Sequence, residues 1–175
     1  MRTDTVYIDN KGVGFENALK ETEKAAAYKG LNHAESLHLQ LCAEEMLSLA
    51  RSVTGEMKAS FWVETEEKLF HLHMSTETVM DQEKRNLLLA SATSRKNEAA
   101  KGFLGYLRDA FEQAMAAEVN HGDELPIELL NDLPNHPIAD PEWDGYEQST
   151  LRKLADSIKI GIRGGLVDMT VSKQF

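Results

Sequence analysis

Apolar residues recur along this chain in two rhythms, and the changes of rhythm mark out its elements. Residues 5–8 read as a short strand. Phe15, Ala18, Leu19, Thr22, Ala25 and Ala26 then follow the three-and-four spacing of a helix that should stop at Gly30. Asn32 with Glu35 three residues on has the form of a capping box, opening a second helix that should run to Gly55. Within that helix Leu39, Cys42, Met46, Leu49 and Val53 form one apolar stripe. The period drops to two at Met57, Ala59, Phe61 and Val63, and again at Phe70, Leu72 and Met74 beyond the turn-like residues 65–68, which predicts a hairpin. Residues 81–92 and 98–117 return to helical spacing, the latter with Phe103, Leu104, Leu107 and Phe111 on one face. After a short helix near 147–156, Ile158, Ile160 and Ile162 alternate on one side of Gly164 and Gly165, and Val167, Met169 and Val171 on the other, giving a closing hairpin.

This order predicts an α+β two-layer sandwich: an antiparallel-rich, mixed sheet with helices on one face. With 175 residues, 42% of them hydrophobic, the chain has the size of a single domain. Residues 1–117 and 157–175 should form its core, and 118–156 an insert with a short helix. All four prolines, Pro126, Pro134, Pro137 and Pro141, fall in that insert, removing backbone donors and excluding regular helix or central strand there. Leu125, Ile127, Leu129, Leu130, Leu133, Ile138, Trp143 and Tyr146 are nevertheless too many apolar residues for a solvated linker, so the insert is expected to pack against the domain or a second subunit.

Charge and composition narrow the partners. A net charge of −10 argues against a binder of nucleic-acid backbones. No apolar run approaches the roughly twenty residues of a membrane span, and the first ten residues lack the apolar core of a signal peptide; the expectation is a cytoplasmic protein. The lone cysteine, Cys42, falls in an apolar stripe and reads as a small core residue.

Stepping about 100° per residue, Glu44 falls away from the stripe of the second helix, whereas Glu45 lies on its border between Leu41 and Leu49. A carboxylate against apolar surface is costly unless it is paired, neutralised or used, so Glu45 is either a satisfied border residue or a functional one. His71 and His73 point to one side of a strand and could chelate zinc or simply face solvent. Asp140, Glu142 and Asp144 alternate like the start of a calcium loop but lack its later ligands. Residues 91–102 hold Arg95, Lys96 and Lys101, the densest basic stretch of an acidic chain.

The order of elements and three short segments resemble the histidine-kinase-like ATPases of the Bergerat fold, and in size the bacterial anti-sigma-factor serine kinases most of all. AEEMLSLARSVTG resembles the helix that carries the family's catalytic glutamate, which places that role at Glu45. STETVMDQEK, residues 75–84, is similar to the aspartate–x–glycine turn that reads adenine, and KGFLGYLRDAF, residues 101–111, to the Gly-rich segment that opens a helix near the phosphates. The resemblance covers about residues 5–115 and the final hairpin. It implies an ATP or ADP site with Ser75 and Glu77 at the adenine turn, Lys101, Gly102 and Gly105 near the phosphates, and Arg95 on a mobile lid over them.

Departures from the family pattern change what the resemblance implies about activity. Leu49 occupies the position of the magnesium-holding asparagine, and leucine has no oxygen for a hard cation. Ser75 replaces the adenine-reading aspartate, and Glu77 and Val79 replace glycines of its turn. The Gly102–Gly105 spacing also fits plain close packing of a helix. The expectation is a degenerate ATPase-fold regulatory protein that binds a partner protein or small ligand, or associates with itself, and binds ATP weakly or not at all. The alternative is an ATP-dependent serine kinase or ATPase with Glu45 as general base.

Overall fold

The computed structural model describes residues 1–9, 11–54, 58–118 and 148–175. Its elements are β1 (Val6–Ile8), α1 (Phe15–Tyr28), α2 (His33–Thr54), β2 (Ala59–Glu66), β3 (Leu69–Glu77), α3 (Gln82–Ser91), α4 (Gly102–Glu118), α5 (Gln148–Leu154), β4 (Ser157–Arg163) and β5 (Leu166–Gln174). The strands form one sheet in the order β1-β2-β3-β5-β4. Every pairing between them is antiparallel, so the expected mixed sheet is corrected; the one parallel contact among the described residues is an isolated bridge from Asn97 to Ile160.

Local chemistry sets the ends of the elements. Gly30, with φ of 69°, takes the left-handed conformation that closes α1, and the amides of Lys29 and Leu31 return to the carbonyl of Ala26. The capping box forms as the spacing predicts: the Asn32 amide donates to Glu35 Oε2 at 2.8 Å and the Glu35 amide to Asn32 Oδ1 at 3.0 Å. Asp81 caps α3 by accepting from the Lys84 amide at 2.8 Å. Gly164, with φ of 58°, supplies the backbone that the tight β4–β5 turn requires.

The alternation of each strand divides the sheet into two unlike faces. Phe61, Val63, Phe70, Leu72, Met74, Ile158, Ile160, Ile162, Met169 and Val171 are buried on the inner face, in one cluster with Leu39, Met46 and Leu47 of α2. Full burial of each large side chain contributes about 1.5–3 kcal/mol, so this layer is the main source of stability. The opposite face carries Trp62, His71, His73, Ser75, Asp168 and Thr170, all half-buried. The described helices cover the inner face alone, which is the two-layer α+β arrangement.

Three expectations need correction. The helix placed at 98–117 starts at Gly102, because residues 97–101 are held in a turn. The core-facing stripe of α2 is rotated toward Ala43, Leu47 and Ala50, leaving Leu49 partly buried at its margin. Leu107 and Phe111 do not face the core: they are 50% and 64% exposed. α4 lies beside α3, and its inward face is the polar one, built on Gly105, Asp109 and Glu112. The stop at Gly55, the start of the strand at Met57, the proline-rich stretch and the calcium-like triplet Asp140, Glu142 and Asp144 lie outside the described residues. No helix among those described is long and apolar enough to cross a membrane.

Candidate functional site

α2 positions Glu45 by its helical phase. Glu45 is half-buried and Glu44 exposed, as the wheel predicts, yet one of the two flanking leucines, Leu41, is 46% exposed and gives it no apolar wall. Glu45 makes no hydrogen bond or ion pair among the described residues. Leu49 packs against the core cluster, so its position is filled by hydrocarbon. Cys42 is fully buried, and burial pushes its thiol up to about 11, which leaves it an inert core residue.

Strand parity sends the residues assigned to adenine the other way. In β3 the buried positions Phe70, Leu72, Met74 and Thr76 face the helices, whereas Ser75 and Glu77 face the far side of the sheet. Ser75 Oγ donates to Asp168 Oδ1 at 2.8 Å, its cross-strand neighbour, and Glu77 is exposed at the end of the strand. The sheet therefore stands between Ser75 and Glu45. Thr76, the helix-facing residue beside it, gives its hydroxyl to the Lys58 carbonyl at 3.1 Å. The residues that the resemblance assigns to a nucleotide do not converge on one cavity.

The remaining candidates collect around the start of α4. Gly102 opens the helix, Lys101 precedes it and is exposed, and Arg95, with φ of 52°, lies on the connection from α3. A side chain at Gly105 would bring its Cβ to 3.1 Å from the carbonyl carbon of Ala100, so this glycine serves close packing of the connection on the helix.

That connection is anchored where a mobile lid was expected. It runs along the outer edge of β4: the Thr93 amide donates to the Ile158 carbonyl at 2.9 Å, and the Glu98 amide to the Ile160 carbonyl at 2.9 Å. The next step is made by a side chain. Asn97 Oδ1 accepts from the Ile162 amide at 2.7 Å while its Nδ2 donates to the Ile162 carbonyl at 2.8 Å, so one carboxamide stands in for a strand. Unpaired strand edges invite foreign strands, and this edge is closed.

Asn97 also ties the edge to the helices. Its Nδ2 donates to Asp109 of α4, which is bonded in turn by the buried guanidinium of Arg85 from α3. Glu112, one turn on, accepts from Arg108 Nε at 2.7 Å and from the Gly164 amide at 2.8 Å. Asn97, Asp109, Arg108, Glu112 and Arg163 line an open cleft of about 280 Å³ between α4 and the end of β4. Its charges are largely satisfied by one another, so the network is first of all what holds α4 to the sheet.

The far face of the sheet holds the second polar cluster. The His73 ring stacks on Trp62 with centroids 5.1 Å apart, and the Arg2 guanidinium lies over the Trp62 ring, 4.9 Å from its centroid. His71 Nδ1 meets Ser172 Oγ at 2.8 Å, and His73 Nδ1 meets Thr170 Oγ1 at 3.1 Å, so both rings are committed across strands. Burial holds the His73 imidazole below its ordinary value; Glu64 opposes that shift, and His71 and Arg2 reinforce it. Among the described residues no group of three or more histidine, cysteine, aspartate or glutamate side chains is placed to hold a metal ion.

Asn97, Arg85 and Asp109 carry no signal in the sequence that marks them out, because the partners of Asn97 lie 12 and 65 residues away. Trp62 is legible only as an outward position of a strand. Compared with known proteins, the sequence matches no protein-family model and no curated protein.

Proposed function

We propose that this chain is a relative of the histidine-kinase-like ATPases that has given up phosphoryl transfer and acts as a regulatory module binding a partner protein. The order of elements and the one-sided layering of helices on the sheet support the kinship. The observation that carries the loss of activity is the division of the assigned residues, with Glu45 in the helix layer, Ser75 and Glu77 beyond the sheet, and Leu49 packed in the core margin. Phosphoryl transfer asks a protein for little besides positioning and charge stabilisation, so a scaffold that offers neither in one place has no catalytic route by this chemistry. A fold by itself supplies no activity.

A serine kinase with Glu45 as general base is the second reading. It is favoured by one feature: Glu45 is half-buried and makes no bond among the described residues. Calorimetric titration with ATP and ADP, with and without magnesium, separates the two. Weak or undetectable binding that magnesium does not strengthen is expected. A submicromolar, magnesium-dependent affinity, together with phosphoryl transfer that Glu45→Gln abolishes, would restore the kinase.

A further inference from the structure

In a chain of net charge −10, one end of the sheet presents the opposite sign. β4 is an outermost strand, and its alternation sets Lys159 and Arg163 on the exposed side with Gly161 between them. The connection from α3 rests on that side at Gly161, where an added Cβ would lie 3.5 Å from the Ala99 Cβ. Lys96 and Lys101 flank this contact on the connection, and Arg108 of α4 lines the same open cleft as Ala99 and Arg163. All five cations are exposed.

Little of their charge is neutralised. Lys96, Lys101 and Lys159 make no ion pair among the described residues. Arg163 approaches Asp168 only at 3.7 Å, beyond hydrogen-bond reach, and Arg108 bonds Glu112 through Nε at 2.7 Å. The neighbouring carboxylates are held inward: Asp109 by Arg85 and Asn97, Glu112 by Arg108 and the Gly164 amide, while Glu98 accepts from Ser94. Arg108 and Arg163 stand 61% and 57% exposed against 20% for Glu112, so the groups that reach solvent are mainly positive, and Asp168 is outnumbered.

We infer that this edge binds an acidic segment of a partner protein, whose repeated aspartate or glutamate side chains meet the five cations. The inference rests on the reading of the chain as a partner-binding module and names the partner's chemistry. Charge complementarity carries it, and the two arginine forks suit carboxylates in particular. Lys159 and Arg163 are about 13 Å apart along the strand, too far for one small anion to bridge and well suited to carboxylates repeated along a peptide. A polynucleotide would run on past the edge over a surface of overall negative charge, which repels it. The partner is held by side chains, because the connection already occupies the hydrogen-bonding edge of β4.

Fluorescence anisotropy of the full-length chain with a labelled peptide of alternating glutamate and serine tests this, at about 0.15 M salt so that distant charges are screened. Saturable binding is expected, with none to the same peptide carrying glutamine for glutamate. Lys159→Glu with Arg163→Glu should weaken it at least about tenfold. Lys96→Glu with Lys101→Glu should do the same, which keeps the test decisive if the strand variant fails to fold. Lys20→Glu with Lys24→Glu on α1, which packs at the opposite end of the sheet, changes net charge equally and should leave the affinity unchanged. No saturable binding, equal loss in all three variants, or tighter binding of a single-stranded oligonucleotide overturns the inference, as does a dimer that the edge variants dissociate. A tight, magnesium-dependent ATP site would defeat the broader reading without moving these affinities, so the two fail separately.

Discussion

Replacing Asn97 with alanine should unseat the edge of the sheet and the helix beyond it in one step. The side chain is 9% exposed and makes four hydrogen bonds: two to the backbone of Ile162, one from the Ala99 amide at 3.1 Å and one to Asp109. At a net contribution of about 1 kcal/mol each, four bonds set an upper figure of about 4 kcal/mol. Asp109 keeps Arg85, and the half-exposed Ala99 amide can turn to water, so the expected loss is about 2–3 kcal/mol, most of it from the orphaned Ile162 groups. In a domain of this size that lowers Tm by roughly 5–10 °C. Thermal unfolding followed by circular dichroism reads the global loss, and amide hydrogen exchange reads the local one, since the Ile162 amide should lose its protection. Asn97→Asp keeps the acceptor but sets a second carboxylate against Asp109, and should fare no better than alanine. A Tm within about 2 °C of the parent, with the Ile162 amide still slow to exchange, would refute the account of Asn97 as a surrogate strand.

Two further perturbations address other parts of the fold. The native state holds the His73 imidazole below its ordinary value of 6.5, so as pH falls through that value the unfolded chain takes up the proton first. Stability should therefore be full above about pH 6.5 and decline below it; His73→Gln should flatten this stretch of a urea-midpoint profile, and an identical slope in parent and variant would show that His73 is not its source. Gly105→Ala would gain about 1 kcal/mol of helix propensity in open space, but the Ala100 backbone 3.1 Å from the new Cβ is held by the Asn97 carbonyl and cannot retreat. A lower Tm is expected, and a raised one would mean that the connection yields.

Much of the architecture was legible in residue order because it depends on neighbours a few positions apart. The capping box of Asn32 and Glu35, the stop at Gly30, the Gly164 turn and the alternation of β2 to β5 are local: period and cap chemistry report which residues share a face and where a face ends. The same alternation already contained the parity that sends Ser75 away from the helices, since Phe70, Leu72 and Met74 mark the buried side. Matching residues 75–84 to a family turn passed over that parity.

Tertiary structure decided what each face meets. The pattern of α4 is amphipathic, yet among its described residues Leu107, Phe111 and Met115 are exposed, because Asp109 and Glu112 find Arg85, Asn97 and the Gly164 amide across the inner side. The period of a helix identifies its stripe without identifying its neighbour, and here buried polar bonds set the docking of the element. For Asn97 the sequence shows only a polar residue in a polar connection. Its partners lie on β4 and α4, and only the folded chain brings an edge strand with unpaired amides within reach of its carboxamide.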